Sequence, residues 1–104
     1  MSLLPHKYIL PPPILSMRKQ LIARSGCLKA ERVRLSPGEE IGEHKTDGRE
    51  EIIIILKGEA VLVKEGHSAR MKEGDIHHIG EGVLHNVRNE SANELEYVYV
   101  VAFR

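Results

Sequence analysis

The stretch His44-Lys45-Thr46-Asp47-Gly48-Arg49-Glu50-Glu51, followed by Ile52-Ile53-Ile54-Ile55-Leu56 and then Gly58, decides how the chain is read. His44 and Thr46 are two residues apart, so on a strand both side chains leave the same face. Asp47-Gly48 favours a tight two-residue turn, which would set residue 44 opposite 51 and residue 46 opposite 49. A histidine and a carboxylate then face each other at the start of a run that is β-branched on both faces. Such a strand calls for cover on both sides: one face fills an interior, and the other needs a partner surface. A charged glutamate turned into that interior is costly unless something neutralises it.

Outward from this run the pattern is strand after strand. Downstream, Lys57-Gly58-Glu59 reads as a turn, Ala60 to Lys64 as a strand and Glu65-Gly66-His67-Ser68 as the next turn. Asp75 to Ile79 and His85 to Asn89 are short strands separated by Gly80-Glu81-Gly82. The chain closes with Leu95 to Phe103, where Leu95, Tyr97, Tyr99, Val101 and Phe103 share one face. Upstream, Ser36-Pro37-Gly38 reads as a turn. Leu28 to Leu35 alternates, with Arg32 and Arg34 on one face and Lys29 and Glu31 on the other, which predicts an outer strand. Met17 to Arg24 is open between a first strand and a short helix. Residues 1–17 carry Pro5 and Pro11-Pro12-Pro13 and predict an extended arm before one barrel domain over 18–104. Apolar residues in the arm, among them Leu3, Tyr8 and Ile14, predict that it packs on the barrel or on a second subunit. No useful helical periodicity appears, and regularly spaced strands with glycine turns predict an all-β antiparallel sandwich or barrel.

Two segments together resemble the paired motifs of the cupin superfamily. The first family motif is a glycine, five residues, His-x-His, three or four residues, a glutamate, six residues and a glycine; Gly38, His44, Glu51 and Gly58 fall on it, with Thr46 where the second histidine stands. The second is a glycine, five residues, Pro-x-Gly, two residues, His, three residues and Asn; Gly74, Gly82, His85 and Asn89 fall on it, with Gly80 in the place of proline. The match runs from Ser36 to Asn89, roughly half the chain, and spacing of this kind seldom arises by chance. The resemblance implies a small single-domain cupin of conserved-barrel type: a double-stranded β-helix, or jelly roll, with a corner between two sheets looser than a hairpin. It implies that His44 and Glu51 point into the barrel, that His85 joins them, and that the three hold a divalent metal ion. Two histidines and a carboxylate suit Fe, Mn, Ni, Zn or Cu, and the sequence does not choose among them. The hydroxyl of Thr46 is a poor ligand beside imidazole, which weakens the set and leaves a coordination position for water or substrate.

Other residues near the motifs are secondary candidates. His77 and His78 are adjacent, so a strand sends them to opposite faces; one is expected in the pocket, and His78 is taken as that one. Tyr97 is a candidate for the cavity wall, although alternate tyrosines on a strand are ordinary core residues. Glu50 would replace Glu51 on a slip of one residue, but the six-residue spacing to Gly58 favours Glu51. Turn chemistry accounts for Asp47, and His6 and His67 read as exposed.

Composition bounds what remains. At 104 residues the chain is one small domain, whose stability gains from oligomerisation. Lys plus Arg and Asp plus Glu are balanced, 15 against 15, so no net field favours nucleic acid. Cys27 is the single cysteine and reads as a small apolar residue in a strand of a protein from a reducing compartment. No export signal or membrane span is expected, which predicts a cytoplasmic location. Two-sided apolar strands and the arm predict a homodimer. Family resemblance does not select a reaction. The leading expectation is a metal-dependent cupin acting on a small polar molecule, by dioxygenase-like or isomerase-like chemistry. The alternative is a non-catalytic module that binds or senses a small molecule at a degenerate metal site, and a structural or storage barrel is a third reading.

Overall fold

The computed structural model describes residues 17–103; the proline-containing arm expected over 1–17 therefore lies, Met17 apart, outside the described residues. Eight strands and no helix are found there: β1 (Lys19–Arg24), β2 (Leu28–Leu35), β3 (Arg49–Lys57), β4 (Glu59–Lys64), β5 (His67–Lys72), β6 (Ile76–Ile79), β7 (His85–Arg88) and β8 (Leu95–Phe103). They form a five-stranded sheet in the order β1-β2-β8-β3-β6 and a three-stranded sheet in the order β5-β4-β7. Every ladder is antiparallel. The two sheets face each other, and their inward residues, Val33 and Leu35, Ile53 and Ile55, Ala60 and Leu62, meet in one core with Ile79, Val87, Leu95 and Tyr97. This is the expected jelly roll.

Local chemistry explains the corners. Ser36-Pro37-Gly38-Glu39 closes a turn through a bond from the Glu39 amide to the Ser36 carbonyl (3.0 Å), with φ of +85° at Gly38, where only glycine is comfortable. The chain passes from one sheet to the other at Gly58. A β-carbon added there would lie 2.5 Å from the Glu94 carbonyl oxygen, so the motif glycine answers to a close backbone approach as well as to a φ of +84°. Glu65 and Gly66 both have positive φ (49° and 80°), the pattern of a type I′ hairpin that twists β4 onto β5.

Several expectations change. Within Met17 to Arg24, Lys19–Arg24 form a strand and not a helix. β2 is not at the edge: β1 lies outside it and β8 inside. Its charged outer residues are accommodated by β8 and the residue before it: Arg32 meets Glu96 at 3.4 Å and Arg34 meets Glu94 at 3.2 Å. The turn expected over residues 65–68 is shorter, because His67 already begins β5. Nothing in His67 to Lys72 alternates cleanly; only Met71 is buried, and pairing to β4 makes the strand. Cys27 lies in the turn before β2 and is exposed, not in a strand. Finally, β3 is covered on one side only by the described residues: Ile53 and Ile55 are fully buried, whereas Ile52 is 40% exposed.

Candidate metal centre

His44 owes its place to a bulge. Residues 38–44 run beside β7 as an irregular fourth strand of the smaller sheet, with Glu40 bridged to Arg88 and His44 bridged to His85. The span from 40 to 44 therefore holds one residue more than the span from 85 to 88 that faces it. Strict alternation would put Ile41 and His44 on opposite faces; the extra residue brings both inward. Gly42 sits at the irregularity with φ of +106°, and its amide donates to the Asn86 side-chain oxygen at 2.8 Å. Asn86 also donates to Glu40 Oε1 at 3.1 Å. A buried amide thus satisfies the backbone group that the bulge frees.

The corner between His44 and Glu51 is the looser one. A turn does close over Thr46 to Arg49, with the Arg49 amide donating to the Thr46 carbonyl (3.4 Å) and φ of +70° at Gly48, but no hairpin ladder precedes it. His44 exchanges backbone bonds with His85 instead, at 2.9 Å each way, and the Thr46 carbonyl accepts from Gly82 (3.2 Å). Residue 44 is therefore opposite 85, not 51. The contact with Glu51 is made across the interior, from the smaller sheet to β3 of the larger.

The three side chains converge. One ligand atom from each of His44, Glu51 and His85 lies within 4.8 Å of the others. His44 Nδ1 donates to the Gly42 carbonyl (2.9 Å) and His85 Nδ1 to the Val83 carbonyl (2.8 Å), each two residues earlier. A carbonyl only accepts, so both rings carry the proton on Nδ1 and present the Nε2 lone pair, the tautomer that a metal ligand needs. His85 Nε2 is fully buried with no hydrogen-bond partner, and its nearest charged neighbour is Glu51 Oε1 at 3.3 Å. Buried polar atoms are nearly always partnered. An orphaned imidazole nitrogen beside a buried carboxylate is a donor set that a cation would complete, so these residues fit a divalent ion.

Glu51 sets the electrostatics of the centre. Burial works to lower the His85 pKa, but the Glu51 carboxylate 3.3 Å from Nε2 and the bond from Nδ1 to the Val83 carbonyl outweigh it and raise the value overall. The Tyr97 phenol is pushed well above its usual range, first by burial and then by the charge of Glu51; burial and the Glu31 bond do the same to Tyr99. Both phenols remain protonated at neutral pH. Thr46 is buried beside Glu51, its hydroxyl donating to Oε1 at 3.4 Å, so position 46 does face the centre. His44, Thr46, Glu51 and Tyr97 line a cavity of about 190 Å³.

His78 is not in that cavity. Ile53 pairs with His77 and Ile52 with His78, so the inward face of β6 carries His77, and His78 lies outside, bonded to the exposed Glu50 at 2.9 Å. His77 accepts from Lys64 Nζ (3.1 Å), and its pKa is lowered by burial, then by the charge of Lys64. Lys64 pairs directly with His85 across β4 and β7. Sequence reading passed over Lys64 and Asn86, because what singles them out is pairing with β7 and with the bulge. Asn89, named only as a motif position, is a buried staple: it donates to the Leu35 and Asn93 carbonyls (2.9 and 2.8 Å) and accepts from Ser91.

The family's sequence model, described as "Cupin domain", matches residues 31–101. The chain belongs to the cupin family. Solved structures agree on the fold. TT1209 from Thermus thermophilus superposes with a TM-score of 0.78 at 28% identity, over 83% of this chain and 82% of that one. A cupin 2 conserved barrel domain protein from Salinispora arenicola gives 0.77 at 22% identity, over 95% and 91%. A predicted oxalate decarboxylase from Thermotoga maritima gives 0.71 at 23% identity, over 93% and 100%. No functionally curated protein matches the sequence.

Proposed function

We propose that this cupin binds one divalent metal ion through His44 Nε2, Glu51 and His85 Nε2, and acts on a small polar molecule held in the adjoining cavity. The observation that carries the reading is His85 Nε2, buried, aimed at Glu51 and without a hydrogen bond. A divalent ion there would supply Lewis-acid polarisation of a substrate oxygen, and a redox-active one would supply oxygen activation as well. The chain's own residues do the rest. The Gly42 and Val83 carbonyls hold both rings in the ligating tautomer. Thr46 contributes no strong ligand and steadies Glu51, so coordination positions stay open for substrate. Tyr97, held protonated in the wall, is placed to donate a hydrogen bond to the bound molecule but not to act as a base. Dioxygenase-like and isomerase-like reactions both use such a site.

A second reading, a binding or sensing module without turnover, draws on the same Thr46, which replaces a ligand by a hydroxyl. We further propose a homodimer, since Ile52 and Ile76 stand exposed on the outer face of the larger sheet. The deciding experiment is elemental analysis of untagged protein, parent beside Glu51→Gln and His85→Ala, with circular dichroism to confirm folding. About one ion per chain in the parent, and affinity reduced about a hundredfold or more in each variant, is the expected result. Equal metal content in parent and variants overturns the ligand assignment. Oxygen uptake or turnover on diketones, phenols, thiols and sugars that vanishes in Glu51→Gln separates enzyme from binder.

A further inference from the structure

The cavity beside the His44 and Glu51 pair carries an excess of positive charge. Lys19, Lys29 and Arg49 line it, and Glu51 is the one carboxylate among its lining residues. Register produces this arrangement. Lys29 pairs with Val101 and Arg49 with Phe103, successive inward positions of β8, so β2 and β3 deliver two cations to one end of the interior, while Lys19, opposite Val33, stands further along the sheet. Lys29 is half-buried and Arg49 exposed, so the two stand at the mouth of the recess, where solvent reaches them and an anion can approach. The counter-charge described for them is weak: Lys29 meets Glu31 at 3.7 Å, while Glu31 also accepts from the Tyr99 hydroxyl. Arg49 lies over the Phe103 ring, 5.0 Å from its centroid, which fixes the guanidinium against the wall. Ile41, Val87 and Val101 add apolar surface to the same lining.

We infer that the ligand of this cavity is a small organic carboxylate, its carbon skeleton against Ile41, Val87 and Val101 and its carboxylate held by Lys29 and Arg49. The inference rests on the proposed metal centre, which would take the other end of the molecule. A neutral sugar or diketone would leave the cations unanswered, and an inorganic anion would bury nothing against the apolar wall. A volume of about 190 Å³ corresponds to about six water molecules, which limits the acid to a few carbons. Guanidinium presents a planar fork that matches carboxylate geometry, and cations lining a recess concentrate anions there.

The test is calorimetric titration of the full chain with malonate, its neutral dimethyl ester and inorganic phosphate, in metal-free and Zn(II)-loaded forms, for the parent, Lys29→Gln and Arg49→Gln. Malonate is expected to bind about tenfold or more tightly than the ester or phosphate, and to lose about that factor in each variant while zinc content stays the same. The same preference, at weaker affinity, is expected without metal. Ester or phosphate binding as tightly as malonate overturns the inference, as does malonate binding that both variants leave unchanged, the result expected of simple chelation at the ion. Failure of the chain to take up zinc, with the malonate preference intact, overturns the metal reading alone.

Discussion

Thr46 is where this chain departs from the ligand pattern of its family, and its position shows what the departure does. The hydroxyl donates to Glu51 Oε1 from a buried position, so it settles the carboxylate without competing for an ion. An imidazole at the same place would reach the same side of Glu51 with a stronger donor. Thr46→His is therefore expected to tighten metal binding by about tenfold or more, about 1.4 kcal/mol, as read by competition with a chelator of known affinity. Unchanged or weaker binding would mean that the side chain at 46 cannot turn from Glu51 to the ion. His44, Glu51 and His85 were named through the resemblance to the cupin motifs, in which each holds a fixed offset from a turn glycine. Which of His77 and His78 looks inward was not, because adjacent strand residues are equivalent until a pairing partner chooses between them; here Ile53 pairs with His77.

Among the elements, the irregular strand over residues 38–44 matters most to the site. Its extra residue sends both Ile41 and His44 inward, and the Asn86 side chain bonds the amide of Gly42 where the ladder breaks. Removing that amide leaves the Gly42 N–H unsatisfied and the bulge unsupported, at a cost of about 1–3 kcal/mol. Asn86→Ala should therefore lower the melting temperature and also weaken metal binding by about tenfold to a hundredfold, the range seen when groups that orient a ligand are removed. A variant that loses stability but keeps the parent's metal affinity would show that the bulge survives without Asn86. Sequence analysis put His44 opposite Glu51 because Asp47-Gly48 has hairpin chemistry. The turn forms, but its incoming arm pairs with β7 instead of β3, a choice made by strands that meet only after the sheets assemble.

For the whole molecule, the outer face of the larger sheet is the open question that the fold itself raises. Ile76 is 67% exposed and Ile52 40% exposed, while Val98 on the same face is buried by its neighbours. The His78 and Glu50 pair lies beside Ile52 in a shallow depression with Val100 and Ala102. An apolar strip with a polar rim suits an isologous contact, in which the same surface meets its own copy across a twofold axis. Ile52→Lys and Ile76→Lys should convert a dimer into monomer at micromolar concentration in sedimentation equilibrium, with far-ultraviolet dichroism unchanged. A parent that sediments as a monomer would refute the homodimer, and a dimer that tolerates both lysines would place its interface elsewhere.

The sequence by itself determined the strands that alternate, the glycine corners and the identities of the candidate ligands, since period-two patterning, positive φ and motif spacing are local properties of the chain. β2 and β8 were readable by alternation, β3 and β4 as apolar runs bounded by glycine turns, and Gly38, Gly58 and Gly82 sit at positive φ in the structure. Only the tertiary structure decided the rest. β5 exists because β4 offers it a ladder, although its own residues bury little more than Met71. The opposition of His44 to His85, the inward turn of His77 and the gathering of Lys19, Lys29 and Arg49 around one cavity all depend on register between strands far apart in sequence. Register is chosen by the burial of the whole apolar face at once, because a slip of one residue would turn every inward side chain out, and no single segment carries that information.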